Sequence, residues 1–483
     1  MLQVAALVLL GCRPPPTSAH DALTAASLRG SVEVLASDAF AGRKVLEPGR
    51  EAAAEWLIAA LDGTDLQPLP GAPSLRVPVP LGWVAWDLPK TRVLTGDHEF
   101  LPGVDFWPFD TSASGTVHDN AIVFVGYGYD PADYDGLDVK GRVVLALEHG
   151  PSEGTGSGDV ANTSGKTYRA QREGAAGFVV VPDPLNHAGP DVMGPSAPRF
   201  RMPQSDEGTL VSIRATRDVG QSLIGPDGRS LADLQRALND GVHAPALSVK
   251  GAPVGLIVTP DDDDSLPGHG ENILAVLPGT DLADEWVVVG AHYDHVGQAE
   301  GDGTRDTIYN GADDNASGSA VVLGLATALC ARRDPPRRTV VFAWFDAEEA
   351  GLLGSDGALE EGHLPVERLV AMINFDMVGR NPGRPLEIGI KGFSGGASKR
   401  VLKAAAAERV DVRLPRHPTG TSDYSSFEAR DVPVLFFFTG RHPDYHEPSD
   451  EADRLDYDRM ERIAGVGWRL LVDLADGTWT PQP

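Results

Sequence analysis

The sequence predicts an α/β protein, a mostly parallel mixed sheet flanked by helices, with a smaller β-rich domain inserted into it. Three observations lead there. Val287 to Ala291 and Val340 to Phe345 are short, largely β-branched or aromatic apolar runs bounded by turn residues, the pattern of buried strands. Between them, Ala316 to Arg332 is apolar at helical spacing, with Asp314 or Asn315 in place to cap its start. Strand, helix and strand in that order imply parallel pairing, and such sheets carry their sites beyond the carboxyl ends of the strands.

Taken in order, the chain opens on VAALVLLGC, an apolar run too short to cross a bilayer and of the length of a signal h-region. Leu9-Leu10-Gly11-Cys12 resembles a bacterial lipoprotein cleavage box, which implies lipidation at Cys12, although no Lys or Arg precedes the run. Cleavage after Thr17-Ser18-Ala19 is the competing reading, and both imply export, as a cell-envelope lipoprotein or a secreted protein. Residues 1–20 are therefore assigned to a leader and its Pro-rich tether. Ala22 to Leu35 and Arg50 to Leu61 read as amphipathic helices joined by a loop containing Phe40-Ala41-Gly42-Arg43.

From residue 113 the texture changes. Ala121 to Asp130 and Val139 to Gly150 are strand runs broken by glycine, and a helix over Gly165 to Ala176 leads into the strand GFVVVPD. Residues 113–244 form the inserted domain on this reading, and 21–112 with 245–478 form a discontinuous catalytic domain. The insert resembles the protease-associated domain through Gly126 to Asp138, Lys140-Gly141-Arg142 and Glu173 to Gly177. Asp261 to Asp264 is a solvated loop rather than a calcium cage, which needs ligands spaced to point inward. Beyond the organising unit lie a strand ending at Asp376, a strand over Leu386 to Ile390, and a helix over Ala397 to Arg409. The strand Val432 to Gly440 and a closing helix over Leu455 to Leu474 follow.

At 483 residues the chain needs two domains or one elaborated domain. A formal net charge of -28 excludes a nucleic-acid partner, which would require a basic face. Two cysteines cannot build a disulfide framework, and Cys330 reads as a small apolar residue late in its helix.

The chemistry gathers at one rim. His292 closes the first strand of the unit, and Asp294 two residues on is placed to accept its other ring N–H. Asp313 and Asp314 precede the helix, Glu348 and Glu349 follow the next strand, and Asp376 and His446 follow later ones. A hydrolase with two adjacent cations needs this set: His and carboxylate ligands, one bridging carboxylate, and an unligated carboxylate to move the proton of the attacking water. Asp313 suits the bridge, with Asp314 or Asn315 left to cap the helix. Because Glu348 and Glu349 are adjacent, one can ligate while the other faces the water.

AHYDH, GADDNASG, DAEEAGLLGS, INFDMVGR and YHEPSDEAD together resemble the motif set of the di-zinc aminopeptidases of the secreted bacterial leucyl-aminopeptidase type. The resemblance covers Asn272 to Leu474 and implies a zinc exopeptidase fold. It also implies His292 and Asp376 on one zinc, Glu349 and His446 on the other, and Asp313 bridging; cobalt or manganese are alternative metals. Glu348 is then the general base, Asp294 the partner of His292, and Tyr445 a hydroxyl directed at the oxyanion. The implied substrates are peptides with a free N-terminus. A membrane enters only through a lipid at Cys12. Glutaminyl cyclase, carboxypeptidase (with Arg380, Arg416 or Arg441 holding a carboxylate) and a non-enzymatic receptor-like lipoprotein are the alternatives.

Overall fold

The protein is described here by a computed structural model, covering residues 21–481 except 85, 97, 110–111, 120, 149, 151–162, 186–198, 202–209, 226–227, 248, 260–267, 300–305, 394 and 416–419. The expected leader with Cys12, the Asp261 to Asp264 run and Arg416 lie outside the described residues. The described residues form two compact units, one within 21–81 and 268–481, the other within 82–267.

In the first unit the strands are β1 (Arg76–Val84), β2 (Gly268–Leu277), β3 (Leu282–His292), β4 (Arg338–Phe345), β5 (Leu369–Phe375), β6 (Leu386–Lys391), β7 (Val412–Arg413) and β8 (Val434–Phe438). They lie in the order β7-β6-β8-β5-β3-β4-β2-β1. At the centre β4, β3, β5 and β8 are mutually parallel. On one side β2 joins β4 and β1 joins β2 antiparallel; on the other β6 is antiparallel to β8 and parallel to β7. The sheet is mixed, as expected, and its parallel centre turns four strand ends toward one rim.

The central strands read as continuous apolar runs because helices cover both faces. Val287, Val289 and Ala291 of β3, with Val340, Phe342 and Trp344 of β4, share a core with α1 (Ala25–Leu35), α2 (Pro48–Ala60), α3 (Gly318–Cys330) and α7 (Tyr457–Ala475). Val288, Val341, Ala343, Phe345 and Met372 pack on the opposite face against α4 (Leu353–Glu360) and α6 (Tyr424–Glu428). A further helix, α5 (Ala397–Ala407), lies beside α7. Helix α3 is apolar all round because it is covered all round: nearly every residue from Gly318 to Leu329 is buried. Cys330, its last residue, is half-buried, and burial pushes its thiol up to about 11. Among the described residues no helix is long and apolar enough to cross a membrane.

The second unit holds a five-stranded sheet of residues 106–108, 211–215, 177–181, 143–147 and 123–124, and a four-stranded sheet of residues 98–100, 92–95, 254–258 and 115–119. Helices Thr163–Arg172, Arg217–Ile224 and Leu231–Asn239 accompany them. The unit extends past both ends of the 113–244 insert. Residues 254–258 pair with both 92–95 and 115–119, and 106–108 pair with 211–215, so both flanking segments hydrogen-bond into this unit. Of the run Ala121 to Asp130 only Val123–Phe124 is strand.

Candidate metal centre

Most of the functional side chains lie in the segments that follow central strands, and Asp314 lies in the turn that opens α3. His292 is the last residue of β3, and its carbonyl accepts the Ser319 hydroxyl of α3 at 2.7 Å. Trp344 of β4 donates to the Ser319 carbonyl at 3.1 Å, so the start of α3 is tied to both strands. Glu348 and Glu349 lie in the turn that follows β4, ahead of α4. Asp376 follows β5 directly, and His446 lies in the loop after β8.

These groups converge on Asp314. Its Oδ1 is 3.3 Å from His292 Nε2 and its Oδ2 is 3.0 Å from His446 Nε2. His292 Nε2 also lies 3.7 Å from Asp376 Oδ2 and 4.0 Å from Glu348 Oε2. On the other side His446 Nε2 is 3.1 Å from Glu349 Oε2. Three overlapping groups of ligand atoms result: His292, Asp314 and Asp376; His295, Asp314, Glu349 and His446; and His292, Glu348 and Glu349, of which the first two share Asp314.

Asp314 therefore occupies the place that the sequence reading gave to Asp313. The Asp313 carboxylate accepts the Gly379 N–H at 2.6 Å and approaches His442 Nε2 at 3.3 Å instead. Asp450 fixes the divergence by accepting the backbone N–H groups of both Asp313 (2.9 Å) and Asp314 (3.1 Å). The capping duty falls to Asn315, whose Oδ1 accepts the Gly318 N–H at 2.9 Å. Three short polar residues in a row carry no spacing signal for which one faces inward.

Asp294 also differs from expectation. His292 Nδ1 is 3.2 Å from the Asp294 main-chain oxygen, while the Asp294 carboxylate stands 3.7 Å away from it. That carboxylate instead accepts the backbone N–H groups of Glu348 (3.1 Å) and Glu349 (3.3 Å), so Asp294 positions both glutamates. Tyr445 stacks on His446 with centroids 3.9 Å apart. It lines a cleft with Asp314, Glu348, Asp376, Met377, Phe436, Phe438 and Arg441.

His295 is the site residue that sequence reasoning missed. Its Nδ1 is 2.9 Å from Glu349 Oε1 and 3.8 Å from Asp314 Oδ2. The available signal was a second imidazole three residues beyond a strand-end histidine, within AHYDH.

The electrostatics are those of crowded buried acids. Burial, reinforced by Glu349, Asp376 and Asp423, raises the Glu348 carboxyl well above the usual carboxylate range against the pull of His292. Burial also carries Asp423 up to about 7. Burial and Asp314 push Glu349 upward, yet His446 and His295 outweigh them and leave it at about 2. Burial disfavours the charged form of His446, but Glu349 and Asp314 hold its ring at about 11.

The donor set fits divalent cations. Imidazole with carboxylate suits zinc, and also cobalt or manganese. Asp376 Oδ1 is buried without a hydrogen-bond partner among the described residues, a cost that a bound cation would remove.

Residues 272–470 match the model of peptidase family M28. It is 29% identical over 219 residues to a probable leucine aminopeptidase of Arthroderma otae, covering 42% of this chain and 56% of that protein. A second probable leucine aminopeptidase of the same organism is 31% identical over 214 residues, covering 41% of this chain and 57% of its own. The chain thus spans little more than half the length of these curated relatives. Among solved structures, the aminopeptidase from Aneurinibacillus sp. strain AM-1 shares the fold, with 19% identity, 94% of each chain covered and a TM-score of 0.50.

Proposed function

We propose that the protein is a metal-dependent aminopeptidase that removes the N-terminal residue of peptides with the help of two divalent cations, zinc in the first instance. One observation carries the reading: two groups of His and carboxylate atoms share Asp314, with Glu348 beside them. His292 and Asp376 would hold one cation, Glu349 and His446 the other, and Asp314 both. Such a pair would polarise a carbonyl and bring the pKa of an attacking water down towards neutrality.

The chain's own residues do the rest. Glu348 takes a proton from the attacking water and returns it to the amide nitrogen as the C–N bond breaks. Asp294, through its two backbone contacts, keeps Glu348 and Glu349 pointing apart. The Tyr445 hydroxyl is directed at the carbonyl oxygen. Carboxylates of Asp314, Glu348 and Asp376 in the cleft attract the cationic α-amino group, which favours cutting at the N-terminus. Met377, Phe436 and Phe438 form an apolar wall suited to an apolar N-terminal side chain.

Aminoacyl-anilides with apolar side chains test this. Turnover is expected to fall to background after the protein is stripped of divalent ions and to return with zinc, cobalt or manganese. Undiminished turnover by the stripped protein would end the reading. Arg441 in the cleft wall is the observation that favours carboxypeptidase action. Peptides blocked at one end decide: an N-acetylated peptide should survive and a C-amidated one should be cut.

The shared role of Asp314 makes a separate prediction. Asp314→Ala is expected to abolish tight uptake of both ions. Asp313→Ala should keep metal and lose about 1–3 kcal/mol of stability through the unpaired Gly379 N–H. Equal metal loss in the two variants, measured by equilibrium dialysis, would contradict it.

A further inference from the structure

We propose that His295 is a fourth protein ligand of one cation, so that the two ions of the pair are held unequally. This rests on the two-cation reading above and adds to it. One ion would lie among His295, Asp314, Glu349 and His446, the other among His292, Asp314 and Asp376.

Distances support a ligand rather than a bystander. With metal–ligand bonds of about 2.0–2.2 Å, atoms around a tetrahedral ion stand about 3.3–3.6 Å apart. His295 Nδ1 is 2.9 Å from Glu349 Oε1 and 3.8 Å from Asp314 Oδ2, and His446 Nε2 is 3.0 Å from Asp314 Oδ2 and 3.1 Å from Glu349 Oε2. A hydrogen bond explains the first of these separations, but not why the same nitrogen is also turned toward Asp314 with all four ligand atoms within 4.8 Å of one another.

The ring is also held in place. Its backbone N–H donates to the Arg43 carbonyl at 3.2 Å. The ring lies against Gly311, where a Cβ would come within 2.5 Å of His295 Cδ2 and where φ is 54°. On a third side it meets the His446 ring edge-on, with centroids 5.4 Å apart. The side chain is fully buried, so its Nδ1 reaches no solvent by turning outward.

The consequence is an order of binding. Four protein ligands close a zinc site, whereas three leave a position for water or substrate. The His295 site fills first and exchanges slowly. The His292 site fills second and is the one that opens to the substrate.

Titration of the metal-free full chain with zinc against a chromophoric chelator tests this, with cobalt absorption reporting the ligand set. Two separated binding steps are expected for the native sequence. In His295→Ala the tighter step should weaken by at least about tenfold, and the cobalt spectrum of the first equivalent should change. His295→Asn, whose amide N–H stands where Nδ1 does and can donate to Glu349 but which has no imidazole, should behave like His295→Ala. If His295→Asn instead matches the native protein while His295→Ala does not, His295 only orients Glu349 and the inference is overturned. It is equally overturned if both variants bind as the native protein does. No metal uptake by the native chain removes the two-cation reading itself, and this inference with it.

Discussion

Glu348→Gln is expected to keep both metal ions and lose about 10²–10⁴-fold in kcat. The amide matches the carboxylate in shape and preserves the turn held by Asp294, but it cannot accept a proton. Neither cation depends on Glu348 in the ligand assignment proposed here, so metal content should match that of the native protein. The change should fall on kcat rather than KM, because the lost interaction exists only while the proton is in flight. Burial and three neighbouring acids hold the Glu348 carboxyl well above the usual carboxylate range. Two of them, Glu349 and Asp376, are proposed ligands, so bound cations would bring Glu348 back toward the strength of a working base. Metal analysis and steady-state kinetics on one preparation separate the outcomes. Near-native kcat would remove Glu348 from its role, and loss of metal would make it a ligand.

Much of the fold was legible because burial writes itself into sequence. Val287 to Ala291 and Val340 to Phe345 are apolar without alternation since helices cover both faces of the sheet, and those runs lie in β3 and β4. Strand ends were legible too: His292, Asp376 and the glutamate pair stand where the apolar runs stop. The choice between Asp313 and Asp314 was not, because Asp450 decides it from 136 residues away in the chain. His295 escaped notice for a related reason. Its partner Glu349 is 54 residues distant, and a second histidine in a loop carries no periodicity. The limits of the second unit were hidden in strand pairing, since nothing local in Arg92–Thr95 announces Val254–Val258 as its partner. Arg43 was passed over as part of a connecting loop, although the ligand loops are tied together through it.

Arg43→Met is expected to destabilise the first unit by at least about 3 kcal/mol, as cation-donated buried hydrogen bonds are worth about 1.5–3 kcal/mol each. The Arg43 guanidinium is almost wholly buried. It donates to the main-chain oxygens of Leu35 (2.6 Å), Tyr293 (2.8 Å), Asn310 (2.7 Å) and Gly311 (2.9 Å). These oxygens belong to the end of α1, the His292 to His295 loop and the approach to Asp314, so one side chain ties three segments together. Burial lowers its pKa to about 10 against the opposing pull of Asp314, Asp294, Asp450 and Glu349, and it remains cationic at neutral pH. The loop beside it fits as closely: a Cβ on Gly42 would come within 2.2 Å of the Gly297 oxygen. Methionine fills part of the volume and satisfies none of the four oxygens. Lysine retains the charge but offers a single nitrogen to acceptors arranged for a fork, so Arg43→Lys should recover only part of the loss. Because the contacts are made to backbone rather than to ligand atoms, the loss should appear in metal-free protein. Saturating zinc should raise the stability of native and variant proteins alike, by less in the variant if its ligand loops are displaced. Denaturant unfolding of the metal-free chain, followed by tryptophan fluorescence, measures the difference. A variant as stable as the native protein, with zinc affinity unchanged, would show that the loops hold their positions without Arg43.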